Sequence, residues 1–138
     1  MWESTHWRMP LKFKQSLILE ENNIPPFDDA YLRSIAGEDE DFIKNILQIF
    51  LDAHAESMPL LKYAVANEDL KQIKQVAHKM RSTCSGIGLH EAAPALGNIE
   101  ALSTAPAQGA MESIKVEMEE LQGVFDQAII QIKNRIQQ

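Results

Sequence analysis

The feature that most constrains this chain is an apolar seam in residues 70–87. Leu70, Ile73, Ala77, Met80, Cys84 and Ile87 follow one another at steps of 3, 4, 3, 4 and 3. On a helix those steps keep to one narrow stripe, as in a coiled coil, whereas a strand would scatter them over both faces. Met111, Ile114, Met118, Leu121, Phe125, Ala128 and Ile132 repeat the rhythm near the C-terminus. Two such stripes need further helices to bury them. No segment alternates apolar and polar residues between turn signals as a strand would, and no internal repeat emerges. The expected fold is all-α, an antiparallel four-helix bundle with a short extra N-terminal helix.

Proline and glycine set the expected boundaries. Pro25-Pro26 cannot lie inside a helix or a central strand, because proline lacks the amide donor and restricts its neighbour. Residues 1–26, which hold Trp2 and Trp7, are therefore read as an N-terminal tail or linker, with Lys12–Glu21 able to form a short helix. The bundle is expected over residues 27–138. Asp28 or Asp29 caps a short helix carrying Tyr31, Leu32 and Ile35, stopped at Gly37. Glu38 to Asp41 open a longer helix, with Phe42, Ile43, Ile46, Ile49, Phe50 and Ala53 expected on its buried face. Pro59 is expected to kink or split it, and Asn67 to cap the third helix. That helix ends at Gly86 and Gly88, with Gly88 suited to a left-handed cap. A fourth runs from about Leu89 to Ser103 with Leu89, Ala92, Leu96, Ile99 and Leu102 inward. Pro94 is tolerable there because it lies near the first turn. Ser103-Thr104-Ala105-Pro106 reads as a loop.

Composition excludes several classes of function. The 138 residues hold 13 Lys and Arg against 20 Asp and Glu, a net charge of −7. A binder of phosphate backbones would show the opposite balance, so no nucleic acid is expected. The single cysteine, Cys84, can make neither an internal disulfide nor a zinc site by itself, which fits a reducing compartment. Apolar runs reach only about four residues, too short for a signal peptide or a membrane span. A cytoplasmic protein, free of membrane, is expected.

The third helix also carries an unusual outer face. At about 100° per residue, His78 points roughly 130° away from the seam. Within about 60° of it lie Lys71, Lys74, Arg81, Ser82 and Ser85, with Lys79 turned further round. From Leu70 to His90 there is no acidic residue but four cations, Lys71, Lys74, Lys79 and Arg81. This basic window stands inside an acidic domain. An exposed imidazole is a good nucleophile near neutral pH. Surrounding cations would disfavour the imidazolium and stabilise a transferred phosphoryl group. The bland alternative is a solvated helix face, which is what most exposed polar faces are.

The run Ala77-His78-Lys79-Met80-Arg81-Ser82-Thr83-Cys84-Ser85-Gly86-Ile87-Gly88-Leu89 resembles the signature of histidine-containing phosphotransfer (HPt) domains. These are the phosphocarriers of multistep two-component relays. The resemblance extends over Phe27 to about Ile136, and includes Phe27-Asp28-Asp29-Ala30-Tyr31-Leu32 and Glu38-Asp39-Glu40-Asp41-Phe42. In that family the histidine is followed by an apolar residue at +2, a basic one at +3, a small one at +4 and glycine at +10. Met80, Arg81, Ser82 and Gly88 stand at those positions. The resemblance implies that His78 is the phosphoacceptor, Arg81 its nearby cation, Ser82 the small residue that keeps the approach open, and Gly88 the tight turn. Lysine is usual at +3 and glycine at +4. Arg81 and Ser82 keep those roles, although arginine offers a fork where lysine offers a point charge.

The resemblance also implies a mechanism and partners. Phosphoryl would pass reversibly between Nε2 of His78 and a receiver-domain aspartate. The Mg²⁺ would come with the receiver, so no cofactor of the chain's own is expected. The partners implied are response-regulator receiver domains and a hybrid sensor histidine kinase. Lys71 and Lys74 are candidate docking charges, with Lys79 and Ser85 beside them. A monomer is expected, since a closed bundle presents no second seam.

Two other readings compete. A dimerising histidine-kinase domain carries an acid directly after its histidine and a proline at +5, where this chain has Lys79 and Thr83. It also lacks a glycine-rich phosphate loop, so neither ATP binding nor autophosphorylation is expected. A non-catalytic helical adaptor would bind an acidic partner through the face around His78 without chemistry. No metal site is expected, because Glu-x-x-His pairs on two helices and His-Glu-x-x-His are both absent. His90 is read as structural or solvent-exposed, His54 as partner-satisfied or exposed, and Cys84 as a small buried hydrophobe.

Overall fold

A computed structural model of the chain describes residues 27–138. The expectations for Trp2, Trp7 and Lys12–Glu21 lie outside the described residues. The described residues form five helices and no strand: α1 (Asp29–Ala36), α2 (Glu40–Ala66), α3 (Leu70–Gly86), α4 (Ala92–Thr104) and α5 (Ala110–Ile136). Each of the four longer helices packs on two of the other three, α3 on α2 and α4, and α5 on α4 and α2, and α1 packs on α2.

Both seams are buried where the spacing puts them. Ile73, Ala77, Met80, Cys84 and Ile87 are at most 5% exposed, and Ile114, Leu121, Phe125, Ala128 and Ile132 are fully enclosed. Leu32, Ile43, Leu47, Leu61, Leu89, Leu96 and Ile99 join them in one core. Leu70, Leu102, Met111 and Met118 lie at its margin.

Helix α2 departs from expectation in three ways. Its inward stripe is Ile43, Leu47, Phe50, Met58 and Leu61, whereas Phe42 and Ile49 are 49% and 59% exposed. Apolar residues stand on both flanks here (Phe42 beside Ile43, Ile49 beside Phe50), so periodicity cannot choose between them. Pro59 neither splits nor ends the helix, which runs unbroken to Ala66. Pro59 and Ala55, whose carbonyl loses its donor, are both exposed, so solvent is available to the freed carbonyl; Met58 and Leu61 anchor the flanks in the core. Asn67 closes α2 rather than opening the next helix, its side chain donating to the Tyr63 carbonyl at 2.8 Å. Asp69 caps α3 instead, accepting from the Gln72 amide at 3.2 Å. The caps of α1 and α2 are Asp28 and Asp39. Within α1, Leu32 is buried but Ile35 is 55% exposed.

The turn between α3 and α4 is built on Gly88. Its φ of +82° is the left-handed conformation that ends a Schellman-type cap, with the Leu89 amide donating back to the Cys84 carbonyl at 3.0 Å. A Cβ at this position would lie 2.8 Å from Cδ2 of Tyr31 and 3.2 Å from the Asp28 carbonyl. Glycine is required here twice, for the backbone and for the close approach of α1.

Helix α4 starts at Ala92, and Leu89 is a buried lead-in residue. Pro94 occupies its first turn, where the amide would have had no helical partner. Ser103 and Thr104 form its last turn and not a loop. Both hydroxyls donate to the Glu100 carbonyl at 2.8 Å, satisfying themselves inside the helix.

A buried arginine that no spacing pattern singles out ties the ends together. Arg135, its side chain 7% exposed, donates through Nε to Asp29 and through both Nη atoms to Glu40, each at 2.8 Å. It thereby joins α5 to α1 and α2. The hydrogen bonds from Arg135 hold the Glu40 carboxyl below its usual range. At Asp29 burial pushes upward, but the bonds from Arg33 and Arg135 outweigh it and the net direction is down.

Candidate functional site

His78 stands on the outward side of α3, its side chain 58% exposed. The seam fixes this orientation: with Ala77 and Met80 buried, residue 78 must face away from the core. Lys71, Lys74, Lys79, Ser82 and Ser85 are exposed on the same helix, as expected.

The nearest charge to the ring is nevertheless an acid. Glu100 reaches across from α4 and places Oε2 at 2.8 Å from Nδ1 of His78. Its other oxygen forms an ion pair with Nη2 of Arg81 at 3.2 Å, and the same Nη2 stands 3.5 Å from Nδ1. The surroundings of His78 are thus a mixed triad rather than a purely cationic ring. That corrects the expectation that neighbouring cations alone set the state of the imidazole. An acid 22 residues away is invisible to a reading of one helix. A signal does exist, since Glu100 is the only charged residue in α4.

The geometry assigns the ring nitrogens. A carboxylate only accepts, so the neutral ring that bonds Glu100 carries its hydrogen on Nδ1. Nε2 then holds the lone pair, and no hydrogen bond to it is present among the described residues. Ser82, one turn on, directs its hydroxyl back to the His78 carbonyl at 3.4 Å. Arg81 lies along α4 at Gly97, where a Cβ would come 3.4 Å from its Cδ. This arrangement offers an oriented nucleophile with a cation beside it.

The Hpt domain family model matches residues 45–135, more than half of the chain. The chain belongs to the Hpt domain family. The match contains all three residues of the triad and leaves out α1 and the start of α2, to which the resemblance in the sequence extends. Comparison with curated proteins and with solved structures finds no match. At the level of the family, an Hpt domain serves histidine phosphotransfer in two-component phosphorelays. Hpt domains are phosphocarriers rather than kinases, and work with receiver domains and kinases.

The remaining sequence candidates fall elsewhere in this Hpt domain. His90 donates through Nε2 to the Asp28 carboxylate at 3.1 Å and meets Tyr31 edge-on at 5.1 Å, so it braces the cap of α1. His54 is not partner-satisfied. Its ring lies edge-on against Phe125 at 4.4 Å, and Nε2 has no partner among the described residues. Burial pushes its pKa down, which favours the neutral ring in that apolar setting. Cys84 is buried, its thiol pushed up to about 12 by burial, and is chemically quiet there. No group of three or more metal-ligating side chains occurs among the described residues. None of their helices is long and apolar enough to cross a membrane.

Proposed function

We propose that this Hpt domain takes a phosphoryl group onto Nε2 of His78 from the aspartyl phosphate of a receiver domain and gives it to another receiver. The observation that carries the reading is the 2.8 Å bond between Nδ1 and Glu100, which leaves Nε2 as the exposed lone-pair nitrogen. In the loading step the Nε2 lone pair forms a bond to phosphorus. The bond from phosphorus to the aspartyl oxygen breaks, and its electron pair leaves with the receiver carboxylate. The proton stays on Nδ1, so the ring becomes an imidazolium facing the Glu100 carboxylate. Unloading reverses each step, and the leaving group is neutral imidazole.

Arg81 is the cation that stabilises phosphoryl charge, and Ser82 keeps the approach to the ring open. Lys71, Lys74, Lys79 and Ser85 form the docking surface for a receiver's acidic pocket, which favours encounter and orientation. The receiver supplies Mg²⁺. The four longer helices act as one antiparallel bundle over residues 27–138, monomeric and cytoplasmic, loaded through a hybrid sensor kinase rather than from ATP.

The test is transfer from a panel of phosphorylated receivers to the protein and to His78→Gln. The expected result is an acid-labile, alkali-stable label that requires His78. Receivers that bind without transferring would instead make the domain an adaptor. Label that survives in His78→Gln would move the acceptor to another histidine.

A further inference from the structure

Arg81 is held loosely for a half-buried arginine. Only Nη2 of its fork is engaged, at 3.2 Å from Glu100, and its buried Nε has no hydrogen-bond partner among the described residues. Glu100 is the more enclosed member, 18% exposed against 43% for Arg81. The carboxylate is therefore the fixed point and the guanidinium the part free to exchange. That guanidinium already stands 3.5 Å from the His78 ring.

We infer that Arg81 is shared between two anions, and that Glu100 sets how firmly the carrier holds its phosphoryl group. This rests on the carrier reading of His78. In the empty protein Arg81 pairs with Glu100. A phosphoryl group on Nε2 brings close to two negative charges and three acceptor oxygens within reach of the same fork. Arg81 moves to it, and Glu100 keeps only the Nδ1 proton. Loading thus breaks one ion pair to make another, which holds the empty and loaded states close in free energy. A carrier that must release its load to a second receiver needs that balance. Glu100 acts here as a positioning residue, through Arg81.

Glu100→Gln keeps an acceptor for Nδ1 but removes the charge, and so affects both the ring and Arg81. A double-mutant cycle separates these effects. The loading equilibrium against one phosphorylated receiver is measured for the wild type, Glu100→Gln, Arg81→Gln and the double variant, each first checked for an unchanged melting temperature. The effect of Glu100→Gln should lie about threefold to tenfold further toward loading when Arg81 is present than when it is absent. A ratio of one, with the wild type labelled on His78, overturns the exchange and leaves the carrier reading standing. A wild type that takes no label overturns the carrier reading itself. A residue that only supported the fold would lower the melting temperature and leave the ratio at one.

Discussion

Arg135 and Arg81 both meet carboxylates, and they meet them differently. Arg135 is 7% exposed and spends Nε and both Nη atoms on Asp29 and Glu40 at 2.8 Å. Arg81 is 43% exposed and gives one nitrogen to Glu100 at 3.2 Å, with a histidine nitrogen just beyond. A buried fork with all three nitrogens engaged has little to offer a ligand, and removing it leaves Asp29 and Glu40 to the exposed Arg33. A half-used fork at the surface contributes little to folding and keeps donors for an incoming anion. The same kind of pair ties α5 to α1 and α2 in one place and stands beside an exposed histidine in the other.

The two arginine sites should differ most in what the loss of a partner costs. Glu100→Ala removes the group that fixes Nδ1–H, and transfer rates should fall about tenfold to a hundredfold with the melting temperature nearly unchanged. Stopped transfer assays and a thermal melt check both halves. A large loss of stability would mean that the His78 site also supports the fold. Arg135→Ala should do the reverse. Its melting temperature should drop by several degrees, while the fraction still folded transfers phosphoryl at the wild-type rate.

Acid sharpens the contrast. Asp29 and Glu40 have folded-state pKa values below their unfolded ones. Their contribution is therefore fully present above the unfolded values and is lost as pH falls through the folded ones. The stability gap between wild type and Arg135→Ala should be constant above about pH 5 and shrink steadily below it. Denaturant melts across that range test the sign, and a gap that widens in acid would refute the assignment.

The smallest effect belongs to Gly97. Replacing a mid-helix glycine by alanine favours the helix by about 0.5–1 kcal/mol. The new Cβ would stand 3.4 Å from Cδ of Arg81, close enough to nudge the fork. Gly97→Ala should thus be slightly more stable and slightly altered in transfer. Unchanged kinetics would show that Arg81 adjusts freely.

Much of the fold and of the site is legible in the amino-acid sequence, and the exceptions have physical causes. The α3 seam alone fixes the outward direction of His78, because a helix that buries residues 73, 77, 80 and 84 has no freedom left for 78. Gly88 is legible as a left-handed cap, though not its contact with Tyr31, which depends on where α1 lands. The inner face of α2 is ambiguous because Phe42 and Ile49 mimic the core periodicity and remain exposed. Glu100 and Arg135 are hidden for one reason. Each acts across helices, and the spacing of residues along one helix says nothing about which charge the next helix brings.

Nitrogen NMR of the His78 ring in the loaded protein reads directly which nitrogen carries the phosphoryl group. Phosphorus should couple to Nε2, and Nδ1 should retain its proton, hydrogen-bonded to Glu100. Phosphorus on Nδ1, or on the ring of His54 or His90, would contradict that assignment.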